Sequence, residues 1–369
     1  MWKRENGRTI GALDLLRRLV LSPILLLLVW LCMALSATDI QKRDELPLNT
    51  KRLGGRVLIA WVGNHMQTID VVALSTARGI VVIETSLVRS ADARIRRTIE
   101  KELGRKDFKY LINTHYHHDH TCGNQVYADA TIVGHRSVPA GMRAELTGEG
   151  LAKLIERSEA LATQWADALS KASPDSREYH YFREAVALAT AAIRELQEGF
   201  TPTYPTVLFE DSLVLDMGDM TLELYSVGGL HTPSDIFIFV PEEGLVAVGD
   251  VTPDRMLPYL RKESDWDLDL ILENWGRIVE SGREIKYVNM AHSDMDLSVE
   301  TFKEQFRYFK TMWNGLRELH RQGATLEDAK KKYSIENDFP HFKNRTLVIR
   351  GTNIHEYNAE AIWERLGRK

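Results

Sequence analysis

The sequence predicts a mixed α and β fold, with two groups of strands separated by a helical hairpin. Three observations carry that expectation. Short β-branched, apolar runs recur between residues 56 and 113 and again between 206 and 294. Residues 145–199 are instead rich in Ala, Leu and Glu, with apolar positions at helical spacing. Between residues 80 and 113 a strand, a helix and a second strand follow one another, and loops after such strands are where α/β sheets place ligands. At 369 residues the chain exceeds the usual size of a single domain, and its 44% hydrophobic and 27% charged residues are ordinary for a globular protein. A net charge of −5 argues against a nucleic-acid partner, which usually selects a basic face.

The first segment stands apart. Lys3, Arg4, Arg8, Arg17 and Arg18 precede the run "LVLSPILLLLVWLCMALSA" at 19–37. A basic start, an apolar middle and a small-residue end describe a secretory signal peptide over 1–37, cleaved after Ser36 or Ala37. The run is also close to the ~17–25 residues of a spanning helix, so an uncleaved membrane anchor is the alternative. Both place the body outside the cytoplasmic membrane, periplasmic or secreted, with membrane association possible through 19–37. Of the two cysteines, Cys32 falls in this segment and Cys122 in the body, so no internal disulfide framework is expected and stability must come from a core.

In the body, "RVLIAWV" (56–62), "TIDVVALS" (68–75) and "IVVIETS" (80–86) read as strands, the last as a buried one. "SADARIRRTIEKEL" (90–103) opens on a capping residue and meets a stop at Gly104, and "KYLIN" (109–113) is a short strand. The helical hairpin of 145–199 breaks near "SPDS" (173–176). Strands resume over 206–229, and 234–250 reads as a hairpin turning at "PEEG". A further strand covers 285–294, helices follow at 300–323 and 325–333, and residues 321–369 form a C-terminal helical extension whose last segment is amphipathic.

The chemistry concentrates in "THYHHDHTCGN", residues 114–124. Four of the twelve histidines and an aspartate fall between His115 and His120. Neutral imidazole ligates zinc, and suits iron and manganese as well. In extended backbone alternate side chains point the same way, so His115 and His117 can share one metal, Asp119 and His120 can face a second, and His118 points away. A catalytic zinc takes about three protein ligands and leaves one position open, so one loop cannot complete two sites. Three more candidates follow at strand ends: His231 in "GGLHTPSD", Asp250 in "LVAVGD" and His292 in "VNMAHSD".

These motifs resemble the metallo-β-lactamase superfamily over roughly residues 55–315. Its H-x-H-x-D-H signature is matched by His115, His117, Asp119 and His120, and its later His, Asp and His by His231, Asp250 and His292. The resemblance implies an α+β fold, an αββα sandwich of two mixed β-sheets flanked by helices, over residues 50–320 with the 145–199 insertion. It further implies that His115, His117 and His231 hold one metal, that Asp119, His120 and His292 hold the other, and that Asp250 bridges them. The implied activity is a dinuclear zinc-dependent hydrolase, with iron or manganese possible in place of Zn2+. Two cations ~3.5–4 Å apart share and deprotonate a water near neutral pH, which can then attack an ester, lactone, β-lactam or related bond of a small-molecule substrate. Asp119 would orient that water or relay its proton.

The chain departs from the family pattern in places. Glu84 stands where an Asp is usual and is expected as a hydrogen-bonding partner beneath the metal loop or as a plain strand-end carboxylate. Cys122 replaces a common Gly and reads as a packing residue. "AHSD" replaces the frequent "GHG". Asp250, where some exported lactamases carry a Cys ligand, is similar to the glyoxalase II, lactonase, sulfatase and ribonuclease branches. The wording of residues 231–250 is most similar to exported hydrolases of the sulfur-oxidation and glyoxalase II types. His65 in "GNHMQ", and Trp165, Tyr179 or Tyr181 in the insertion, are pocket-wall candidates, and Thr232 a support for His231. A non-catalytic metal-binding protein, or a mononuclear iron enzyme resembling sulfur dioxygenases, is the alternative reading.

Overall fold

The computed structural model describes residues 46–63, 68–253, 257–262, 264–292, 298–343, 348–349 and 352–368. The segment 1–37 and His65 lie outside them. Among the described residues no helix is long and apolar enough to cross a membrane.

In chain order the elements are β1 (Leu48–Leu53), β2 (Val57–Val62), β3 (Val71–Thr76), β4 (Gly79–Ile83), α1 (Arg89–Leu103), β5 (Phe108–Ile112), α2 (His118–Thr121) and β6 (Thr131–His135). Then come α3 (Val138–Leu146), α4 (Gly148–Lys171), α5 (Arg177–Gln197), β7 (Val207–Phe209), β8 (Ser212–Asp216), β9 (Thr221–Ser226), β10 (Ile236–Val240) and β11 (Leu245–Ala247). The last are α6 (Leu268–Val279), β12 (Tyr287–Asn289), α7 (Val299–Arg321), α8 (Leu326–Lys332), β13 (Val348–Ile349), β14 (Thr352–Asn353) and α9 (Ile354–Leu366).

The first seven strands form one sheet in chain order, and β12-β11-β10-β9-β8 form a second. Both are mixed. In the first sheet β1 to β4 pair antiparallel and β4 to β7 parallel; in the second only β11 and β12 run parallel. Strand alternation explains how they stack. Ile236, Ile238 and Val240 of β10 face inward and join Ile59, Val72, Val81 and Ile112 of the first sheet in one core. Phe237 and Phe239 of the same strand face outward and join Trp275 of α6 and Phe302, Phe309 and Met312 of α7. On the other side, α1 buries Ala91, Ile95 and Ile99, four residues apart, against β2 and β3. The result is helix, sheet, sheet, helix: the αββα sandwich, with two mixed sheets.

Helix ends follow local chemistry. Gly104 closes α1 in the left-handed conformation, Asp267 caps α6 by accepting from Asp269 and Leu270 N–H, and Thr325 with Asp328 makes a capping box on α8. Among the described residues, four strands (β1, β6, β13 and β14) and three helices (α2, α3 and α6) go beyond the elements expected from the sequence. β1 and β6 draw their order from pairing with β2 and with β5 and β7, and α3 and α6 from burying Met142 and Trp275. These are tertiary gains that a short local pattern does not display. β12 is only three residues long, where a longer strand was expected over 285–294.

Candidate metal centre

The loops after β5, β9, β11 and β12 open on the same edge of the sandwich, and each delivers donors there. The loop after β5 is fixed first. Asn113 and Asn124, both fully buried, exchange amide hydrogen bonds of 2.9 Å, and Asn113 Nδ2 and Thr85 Oγ1 both donate to the His120 carbonyl. Ile236 N–H donates to the Thr114 carbonyl, which ties the second sheet to this loop. Gly249, at φ 55°, precedes Asp250 where a Cβ would collide with the Thr114 side chain, so only glycine lets the β11 end approach.

All seven side chains named from the sequence come together. His117 Nδ1 lies 3.1 Å from His115 Nε2 and 3.0 Å from His231 Nε2. His292 Nε2 lies 3.3 Å and His120 Nε2 3.8 Å from Asp119 Oδ2. Asp250 sits between the two groups: its Oδ2 is 3.5 Å from His231 Nε2 and 3.6 Å from His292 Nε2, and its Oδ1 is 3.4 Å from His120 Nε2. Donor atoms of His115, His117, His231 and Asp250 lie within 4.8 Å of one another, and so do those of Asp119, His120 and His292.

The protonation pattern differs between the groups. Burial pushes His115 and His117 down, His115 the further, and takes His231 down to about 3, so these three rings are neutral and each keeps one lone-pair nitrogen. Burial opposes charge on His120 and His292 as well, but Asp250 and the other carboxylates outweigh it and raise both, His120 the further. The surrounding imidazoles in turn hold Asp119 and Asp250 well below the ordinary carboxylate range, against the effect of burial. Three neutral imidazoles, with nitrogens of His115 and His231 3.1 and 3.0 Å from His117 Nδ1, and His120 Nε2 and Asp250 Oδ1 buried without hydrogen-bond partners, fit a divalent cation.

Around the donors lie supporting groups. Glu84 is the only non-glycine residue among those described with a positive φ, 71°. That conformation is costly for an L side chain, and here it turns the carboxylate under the loop. Its Oε1 accepts from Thr114 Oγ1 and lies 3.2 Å from His120 Nδ1, close enough for an ion pair though not aligned as a hydrogen bond. Asp235, which sequence reasoning missed, accepts from His231 N–H at 2.7 Å and from the N–H and hydroxyl of Thr232, and burial pushes its carboxyl up to about 7. Its signal was local: an acceptor three residues after Thr232 in "HTPSD" caps its own turn. Glu145 was also missed. It accepts from His118 N–H at 3.1 Å and pairs with His118 Nδ1 at 2.8 Å, turning that ring away from the donor cluster; no pattern links residues 27 apart. Arg261 Nη2 lies 3.4 Å from His231 Nδ1. Cys122 packs with Val138, Met142 and Leu146.

A cavity of about 330 Å³ opens beside Asp119 and His292. Trp165 of α4 and Tyr181 of α5 line it, as does His118; Tyr179 does not.

A family model described as "Metallo-beta-lactamase superfamily" matches residues 70–287. Among solved structures, a double mutant of the sec-alkyl sulfatase PisA1 aligns at TM-score 0.55 and 16% identity, covering 87% of this chain and 50% of its own. The stereoselective inverting sec-alkylsulfatase Pisa1 from Pseudomonas sp. aligns at TM-score 0.53 and 15% identity over 83% of this chain and 48% of its own. The metallo-beta-lactamase FIM-1 from Pseudomonas aeruginosa, in its mono-zinc form, aligns at TM-score 0.46 and 14% identity over 73% and 97%. The chain thus spans about half the length of the sec-alkyl sulfatases it matches. No curated protein matches it.

Proposed function

The chain belongs to the metallo-beta-lactamase superfamily, and on that premise we propose that it is an exported, dinuclear zinc-dependent hydrolase of an ester, lactone, β-lactam or related bond. The observation that carries this reading is the convergence of seven donors, five imidazoles and two carboxylates, on one edge of the sandwich, with buried atoms of His120, His292 and Asp250 lacking hydrogen-bond partners. His115, His117 and His231 would hold one cation, Asp119, His120 and His292 the other, with Asp250 facing both. When bound, such a pair lowers the pKa of a water and polarises the bond to be attacked.

The chain's own residues do the rest. Asp250 faces both groups, Oδ2 toward His231 and His292 and Oδ1 toward His120, which keeps the two sites in register. Asp119, an ionised carboxylate, presents Oδ2 toward His292 at the cavity mouth, where it can orient a water or hold its proton. Asp235 fixes the backbone of His231, and Glu84 lies under His120. Export rests on the basic start and apolar run of residues 1–37.

The test is metal content of the purified protein by mass spectrometry, with a His117→Ala control, together with turnover of a panel of carboxylic esters, lactones, β-lactams and sulfate esters. About two zinc ions per chain and turnover lost in the control support the proposal. Metal without turnover on any substrate would favour a binding protein, and a single iron with oxygen uptake a redox enzyme.

A further inference from the structure

The cavity beside the donors has two unlike ends. At one end are Asp119, His292, His118 and Arg157, whose guanidinium is largely exposed and 3.7 Å from Glu145. The rest of the wall is mainly apolar, with Thr68, Ser86, Ser158 and Tyr181 as its polar members. Val88, Ala91 and Ile95 of α1 form one side, and α4 and α5 of the insertion form the other. On α5 the lining residues Ala185, Ala189 and Ala192 are spaced four and three apart, so they share one face, and all three are buried. Larger side chains there would fill the space. At about 330 Å³ the cavity falls in the ~300–1,000 Å³ range of small-molecule pockets. Leu161 of α4, which also lines it, is 39% exposed, an apolar group left in contact with solvent.

We propose that this cavity takes the unbranched apolar chain of an amphiphilic ester whose hydrolysable polar group lies at Asp119 and His292. The inference rests on the hydrolase reading for the reaction, while the chain site itself is a matter of shape and surface. A polar end at the donors and an apolar end between α1 and the insertion orient such a substrate in one sense only. A compact polar substrate would leave the apolar wall wet. The apolar chain can belong to the acyl or to the alcohol side of the ester, since a run of methylenes is the same on either side.

Calorimetry on the zinc-loaded protein with n-alkanoates from four to twelve carbons tests the site without turnover. Affinity is expected to rise about 4-fold per methylene, from the ~0.8 kcal/mol per buried CH₂, until the cavity is full. Ala189→Phe should end the rise at a shorter chain, and Leu161→Arg should flatten it. Affinity independent of chain length in the unsubstituted protein overturns the proposal, whatever the variants do. Turnover of p-nitrophenyl alkanoates and of n-alkyl sulfates over the same lengths then separates the acyl from the alcohol source by which series shows the chain-length rise. If short esters are hydrolysed and binding is flat, the hydrolase reading stands and the chain site falls. If nothing is hydrolysed and binding still rises with length, the chain site stands and the hydrolase reading falls.

Discussion

The donor cluster and the apolar cavity meet at Asp119 and His292, yet they are built in opposite ways. The cluster hangs from strand ends. Its backbone is held by the Asn113–Asn124 amide pair, by Ile236 N–H on the Thr114 carbonyl and by Asp235 beneath His231, nearly all of it buried. The cavity's outer wall hangs from α4 and α5, and α4 fully buries only Leu154. Groups that must converge to within a few tenths of an ångström sit on the sheets, and the wall that meets a substrate's variable part sits on an insertion that packs lightly. The same metal site can therefore serve many substrates by changing the insertion alone.

The largest effect that would sharpen this contrast is in the cluster. His117→Ala removes the ring whose nitrogen neighbours both His115 and His231, and turnover should fall by more than the ~100-fold typical of losing a ligand's outer partner, with zinc content dropping alongside. Asp235→Asn leaves one acceptor oxygen where the carboxyl has two for the His231 and Thr232 donors; zinc affinity measured by competition with a chelator should weaken ~10–100-fold while the fold persists. An unchanged zinc affinity would remove Asp235 from the site's support. In the wall, Leu161→Arg should leave zinc content at the unsubstituted level and abolish the chain-length preference, a change of about 4-fold per methylene. Loss of zinc in that variant would show that wall and cluster are not independent.

The smallest effect lies between the two regions. Asp92 accepts from the N–H and hydroxyl of Ser86, a cavity-lining residue two positions after Glu84. Burial pushes the Asp92 carboxyl from 3.8 to about 7, against the pull of the Ser86 bonds and with help from Glu195. A folded-state pKa above the unfolded one means that the folded protein keeps a proton the unfolded chain releases near pH 4. This contribution is present in full below about pH 4 and is lost as pH rises through 7. Asp92→Asn has no such proton to lose, so its melting temperature should fall less between pH 5 and 8 than that of the unsubstituted protein. Equal slopes would show that Asp92 is ionised in the fold throughout.

The two regions also differ in how far they could be read from residues alone. The seven donor positions stood out because imidazoles are scarce and, with carboxylates at strand ends, conspicuous, and their order along the chain carries the family pattern. The αββα sandwich followed from the same pattern, and strands such as β2 and β10 from their own apolar runs. Asp235 lay within reach of local reasoning, since Asp235 and Thr232 bond within one turn. Glu145 and Arg261 did not, because His118 and Glu145 are 27 residues apart and His231 and Arg261 30 apart, linked only through the folded chain. The aromatics of the insertion were marked as wall candidates, but helical spacing could not separate Trp165 and Tyr181, which line the cavity, from Tyr179, which does not.

By itself, then, the sequence determined the kinds of donor atom, their order and the strands that carry them, since these depend on residue type and short-range periodicity. Only the tertiary structure decided that Asp250 stands between the two groups, that Glu84 takes a positive φ beneath His120, and that three alanines of α5 leave space beside the donors. A void is defined by what several distant segments fail to fill. No single stretch of chain encodes that, so it becomes visible only when α1, α4 and α5 are packed against the sheet edge.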